Sequence, residues 1–163
     1  MELDETDRAL LMQLQTDASL STERLAKAVG VSKTAAWNRV QRLHVAGIIK
    51  RQVVVLDASK VGLHETFFIS IKTNQHNERW LLKFNHVVNR YPEIVEAHRL
   101  AGDNDYLLKV QVRSTRDFDQ LYKKIVADVD LYSVTSNLSM QVLKENSPLP
   151  LDDSLSETSK IRM

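Results

Sequence analysis

The stretch Leu25-Ala26-Lys27-Ala28-Val29-Gly30-Val31-Ser32, continued by Lys33-Thr34-Ala35-Ala36-Trp37-Asn38-Arg39-Val40-Gln41-Arg42-Leu43, decides how the N-terminal part of this chain folds. Ala26 is small enough to let two helices approach, Gly30 permits a turn between them, and Val31 plugs the angle they enclose. Ser21 can cap the first of these helices, with Glu23 in its first turn, and Ser32 can cap the second. At 100° per residue, Ala36, Val40 and Leu43 fall within about 40° of one another and form a buried stripe. The opposite face collects Thr34, Trp37, Asn38, Gln41 and Arg42, with Lys33 in the first turn. This is the pattern of a helix-turn-helix, whose second helix enters the major groove of double-stranded DNA.

Hydroxyl, amide, ammonium and guanidinium groups suit the donors and acceptors of base edges and phosphates. The candidate DNA-binding residues are therefore Ser32, Lys33, Thr34, Trp37, Asn38, Arg39, Gln41 and Arg42. Trp37 stands about 100° from the stripe, where it can wedge against a sugar or thymine methyl or pack on the first helix. Arg39 lies about 60° off the stripe, a place for a salt bridge or a phosphate contact rather than base readout. Charge follows the same map. Residues 1–20 carry one basic and five acidic groups, residues 21–52 seven basic and one acidic, and residues 53–163 fourteen basic and fifteen acidic. The net charge of +1 thus conceals a short basic segment, the electrostatic footprint of a polyanion.

Upstream, Asp4 to Thr16 reads as a helix, with Leu3, Asp7, Leu10, Leu11 and Leu14 at three- and four-residue spacing and acids in the first turn. Downstream, Gly47 sits where a helix C-terminus favours a left-handed residue, and the valine-rich Ile48 to Leu56 reads as a strand. The polar run Asp57-Ala58-Ser59-Lys60-Val61-Gly62 marks a boundary. Beyond it the spacing predicts strands at Thr66–Lys72, Ile94–Ala101, from Tyr106 through Val112, and at Val134–Leu143. Helices are predicted over Glu78–Tyr91, stopped by Pro92, and after a Ser114 or Thr115 cap. The order β-α-β-β-α-β is ferredoxin-like, with both helices on one face of an antiparallel sheet and a second subunit as the economical cover for the other. The expected architecture is α+β: an N-terminal winged helix-turn-helix (residues 1–52), a strand and linker (53–63), a C-terminal ferredoxin-like βαββαβ domain (64–146) and a tail (147–163) whose polar end, Asp152 to Met163, is expected to be mobile.

Several functions are disfavoured. No apolar run approaches the ~18 residues of a membrane span, and the acidic start Met1-Glu2-Leu3-Asp4-Glu5 is unlike a signal peptide, so the cytoplasm is the expected compartment. Without cysteine there is no disulfide, thiolate metal site or thiol switch. His44, His64, His76, His86 and His98 show no metal spacing, and the four glycines are too scattered for a phosphate loop. Asp117 and Asp119 fit a helix N-terminal acid and a solvent-facing one better than a metal-dependent nuclease. No nucleophile–base arrangement stands out; neither an enzyme nor a cofactor is expected. The rival reading is an amino-acid-sensing module whose N-terminal hairpin serves protein contacts.

The motifs Leu3-Asp4-x-x-Asp7, Leu25-Ala26 through Val31-Ser32, Arg39-Val40-x-Arg42-Leu43, Gly47-Ile48-Ile49 and Gly102-Asp103-Asn104-Asp105-Tyr106-Leu107-Leu108 resemble, in order and spacing, the Lrp/AsnC family of feast/famine transcription regulators. The resemblance covers the chain to about Leu151. Val134-Thr135-Ser136 and the ending Ser147-Pro148-Leu149-Pro150 are similar to the subgroup containing the bacterial cysteine-detoxification regulator. The resemblance implies a regulator of amino-acid metabolism whose C-terminal domain, of the RAM/ACT-like kind, dimerises through its sheet, assembles to octamers and binds an amino-acid effector between dimers. It also implies an effector region at His98, Gly102, Asp103, Asp105, Thr135 and Ser136. His98 stands where relatives commonly carry an aromatic residue, and Asp130-Leu131-Tyr132 lacks their usual glycine. The residues themselves allow a carboxylate pair, Asp103 and Asp105, to receive an ammonium group; good turn chemistry accounts for the same motif.

Overall fold

The computed structural model describes residues 2–151; the end of the expected tail, Asp152 to Met163, lies outside the described residues. The chain forms two compact units, one running to Val54 and resuming at Lys144, the other spanning Val55–Leu143.

The first unit holds α1 (Glu5–Thr16), α2 (Thr22–Val29) and α3 (Lys33–Val45). Asp4 caps α1 by accepting the Asp7 N–H at 2.8 Å, while the Asp7 carboxylate accepts the Asp4 N–H at 3.4 Å. Ser21 caps α2, which ends at Gly30 with φ +75°, and the N–H groups of Gly30 and Val31 both donate to the Ala26 carbonyl. That left-handed cap is the turn of the helix-turn-helix. Ser32 Oγ then accepts the Ala35 N–H at 3.1 Å and starts α3. Leu10, Leu25, Ala26 and Ala36 form the buried centre, with Leu14, Leu20, Val29, Val31 and Val40 packed around it. Leu43 is fully buried as well.

The strand expected over Ile48–Leu56 is not formed. Val53, Val54, Val55 and Leu56 are 60%, 84%, 62% and 65% exposed. Valine favours extended backbone, but a strand exists only as one member of a hydrogen-bonded pair, and no described segment pairs with this one.

The segment from Lys144 belongs with the helices. Gln15 grips Leu149 from both sides: its Nε2 donates to the Leu149 carbonyl at 3.2 Å and its Oε1 accepts the Leu149 N–H at 2.6 Å. Arg8 Nη1 donates to the Leu151 carbonyl at 3.1 Å. Gln15→Leu removes two solvent-exposed hydrogen bonds and should cost about 1 kcal/mol of local stability. The expected outcome is faster hydrogen exchange at the Leu149 amide with little change in the α2 amides, read by NMR.

The second unit contains β1 (Glu65–Lys72), α4 (Glu78–Arg90), β2 (Ile94–Arg99), β3 (Tyr106–Val112), α5 (Thr115–Asp128) and β4 (Ser133–Leu138). The sheet order is β2-β3-β1-β4 and every pair is antiparallel, the ferredoxin-like arrangement. β3 alternates cleanly, with Tyr106, Leu108, Val110 and Val112 buried. These pack with Phe67, Ile69 and Ile71 of β1 against Trp80, Phe84 and Val87 of α4 and Phe118, Leu121 and Ile125 of α5. Both helices therefore cover one face. The expected continuation of β4 to Leu143 does not form: the last bond is Ser139 N–H to the Thr66 carbonyl, beside the first residues of β1. Past that point the chain has no ladder partner among the described residues, and Met140 is 89% exposed. The loop at Asp130–Tyr132 is pinned without a glycine: Trp80 Nε1 donates to the Asp130 carbonyl at 2.8 Å and the Tyr132 N–H to the Lys72 carbonyl at 3.0 Å.

Candidate functional site

α3 presents one open face. Lys33, Thr34, Trp37, Asn38 and Gln41 are all exposed, and the three- and four-residue steps between them make the row continuous. Trp37 is 53% exposed, so it stands on this face rather than inside the helix packing. Ser32 contributes differently, because its side chain is engaged as the cap of α3. Arg24, Lys27, Lys33, Lys50 and Arg51 are exposed and enter none of the ion pairs found among the described residues.

Arg39 and Arg42 are committed elsewhere. Arg39 Nη1 lies 2.6 Å from Asp4 Oδ2 and 2.8 Å from Asp7 Oδ1, and Arg42 Nη2 lies 2.6 Å from Asp7 Oδ2. The Asp7 side chain is fully enclosed, while those of Arg39 and Arg42 are 30% and 49% exposed. The Arg39 hydrogen bond holds the Asp4 carboxyl below the usual aspartate range, helped by the Asp7 N–H, and Asp4 in turn raises the Arg39 guanidinium. The network braces the start of α1 against the middle of α3. Arg42 engages Asp7 through Nη2 alone, and its half-exposed guanidinium carries further N–H donors. From sequence, Asp4 and Asp7 stand out as part of the Leu3-Asp4-x-x-Asp7 motif at the start of the first helix, but not as partners of Arg39 and Arg42. Their i, i+3 spacing matches that of Arg39 and Arg42, and this was the available signal.

The six effector-region residues do not meet within one chain. Gly102, at φ +150°, shapes the turn between β2 and β3 in a conformation L side chains rarely adopt. Asp105 is part of the frame: its Oδ2 accepts the Thr73 N–H at 2.8 Å and its N–H donates to the Ile71 carbonyl at 2.9 Å. Asp103 is exposed. His98, on edge strand β2, pairs across β3 with Leu107 and lies 3.4 Å from Glu96 Oε2. Thr135 and Ser136 lie on β4 at the opposite edge, opposite Ser70 and Ile69. Three strand spacings, about 14 Å, separate the edges. Among the described residues no cluster of His, Asp or Glu could hold a metal ion, and no helix is long and apolar enough to cross a membrane.

A helix-turn-helix with an open polar face, on a chain that also forms a ferredoxin-like unit, defines a two-domain DNA-binding regulator. Residues 3–44 match the AsnC-type helix-turn-helix domain and residues 66–149 the Lrp/AsnC ligand binding domain. The chain belongs to the Lrp/AsnC family and is an AsnC-type DNA-binding transcription regulator. It is 43% identical over 152 residues to the glutamate uptake regulatory protein of Zymomonas mobilis, covering 93% of each chain. It is 41% identical over 151 residues to the DNA-binding transcriptional activator DecR of Escherichia coli, covering 92% of this chain and 99% of that one. Among solved structures, the Neisseria meningitidis transcriptional regulator NMB0573 in its L-Met complex shares the fold, with a TM-score of 0.88, 24% identity and coverage of 94% and 99%.

Proposed function

We propose that this regulator reads operator DNA with Lys33, Thr34, Trp37, Asn38 and Gln41, assisted by the free donors of Arg42, and changes its DNA affinity or assembly on binding an amino acid. The single observation that carries the reading is the exposed polar row on α3, flanked by cations that enter no ion pair among the described residues. Arg39 acts mainly as a brace, through Asp4 and Asp7. The division of labour follows the chain, with residues 1–52 on DNA, 53–63 as the connection and 64–146 on effector and assembly.

The effector site is shared between copies. His98 and Thr135 stand at opposite edges of one sheet, so a ligand touching both kinds of residue must lie between two molecules. The helix-free face, carrying Phe68, Ser70, Leu107 and Lys109, is the surface through which a second copy closes the sheet. Dimers of this kind assemble further to octamers and work in the cytoplasm. An L-Met complex of a protein of this fold supports an amino acid as the ligand class.

Two experiments test the reading. Sequencing the DNA this protein retains from its own genome should return a shared motif beside genes of amino-acid transport or metabolism. Calorimetry against the twenty standard amino acids should give heat for at least one, lost in Asp103→Asn. Recovery of random fragments would overturn the operator half, and silence across the amino acids the sensor half.

A further inference from the structure

We propose a second small-molecule site in the ferredoxin-like unit, distinct from the Gly102 turn, that takes an aliphatic zwitterion through Glu93, Gln111 and Lys124. An open cavity of about 460 Å³ lies where the end of α4, the ends of β2 and β3 and the first turns of α5 converge. That volume falls within the range of small-ligand pockets. Its walls include Leu63, Val95, Val112 and Leu121.

Two polar atoms single this cavity out. Glu93 Oε2 and Gln111 Oε1 are buried and have no hydrogen-bond partner among the described residues, and both residues line it. Their backbones are tied together, the Gln111 N–H donating to the Glu93 carbonyl at 2.9 Å, so the two side chains start from neighbouring positions. The strand is irregular at the same place: Ile94 pairs with Val110 and Glu96 with Lys109, leaving Val95 as the extra residue of a bulge. Bulges re-aim side chains and are common beside binding sites. A buried acceptor without a donor is costly, and a carboxylate oxygen can only accept. The missing partner is therefore a donor such as an ammonium group.

Charge narrows the ligand further. Arg113 is already engaged, its Nε 3.0 Å and Nη2 3.3 Å from the Asp117 carboxylate. Lys124 and Glu93 enter no ion pair among the described residues, so one positive and one negative group of the cavity stay uncompensated. A molecule with an ammonium for Glu93 and Gln111, a carboxylate for Lys124 and an aliphatic body for the valine and leucine walls answers all three features. L-leucine is the probe that carries them.

The test follows methyl resonances of the full chain during titration with L-leucine to about 20 mM, well above a millimolar dissociation constant. Saturable shifts are expected at Leu63, Val95, Val112 and Leu121. Glu93→Gln and Lys124→Ala should each weaken them about tenfold or more, since each removes a charge-assisted contact, whereas Asp103→Asn should leave them unchanged. 4-Methylpentanoate, lacking the ammonium, and 3-methylbutylamine, lacking the carboxylate, should bind at least about tenfold more weakly than leucine. Absence of shifts at the four cavity residues, or shifts that persist in both variants, overturns the second site. Shifts confined to the Gly102 turn would do the same while supporting the effector reading above.

Discussion

DNA affinity is expected to fall by about 10³–10⁵ between 50 and 200 mM salt, the consequence of roughly six to ten phosphate contacts per dimer. Each copy supplies five exposed cations outside the ion pairs among the described residues, Arg24, Lys27, Lys33, Lys50 and Arg51. Two copies therefore hold enough charge for that number without Arg39 or Arg42. The measurement is a binding isotherm on operator and on random DNA at several salt concentrations. Lys33→Ala should weaken both and lower the logarithmic slope by about one for each copy. Gln41→Ala should weaken the operator alone and leave the slope in place, because an amide contributes hydrogen bonds and no released counterion. An affinity indifferent to salt would instead favour a hairpin that serves protein contacts.

The Arg39→Ala/Arg42→Ala double variant should lose roughly 10 °C or more in the melting of the helical unit. Asp7 is fully enclosed, and the double change strips both guanidinium groups from its carboxylate. What remains is the 3.4 Å bond from the Asp4 N–H. Either single variant should cost less, because the other arginine still holds one carboxylate oxygen. Adding Asp7→Leu to the double variant should recover part of the loss, since an apolar group in place of a broken ion network removes the orphaned charge. Thermal unfolding followed by circular dichroism reads all of these, and equal melting of wild type and double variant would free both arginines for DNA. The same network sets an acid limit. Arg39 lowers the Asp4 pKa in the folded state, so its contribution is present above the ordinary carboxylate value and fades as the pH falls through and below about 4. Arg39→Ala should flatten that part of the stability profile.

The three helices of the DNA-binding unit were legible because their information is local. Ser21, Gly30, Ser32 and Gly47 act within a few residues of themselves, and each acts where its chemistry placed it. The buried stripe of α3 followed from the helical period, and the β-α-β-β-α-β order followed from alternation in β3 and the helical spacing of Trp80, Phe84 and Val87. Strand ends were less legible. Val134–Leu143 carries one apolar pattern, but the ladder ends at Leu138 opposite Phe67, close to where β1 itself begins. The valine-rich run through Val53–Leu56 likewise lacks a ladder partner among the described residues, and composition cannot supply one.

Side-chain period and local caps alone made it legible which face of α3 is buried and which is open. Tertiary structure alone decided what each basic residue on that helix does. Arg39 and Arg42 are some thirty residues from Asp4 and Asp7 along the chain and meet them only when α1 folds against α3. Through-space electrostatics then engages Arg39 and one nitrogen of Arg42 in a brace, while the exposed row of α3 stays open.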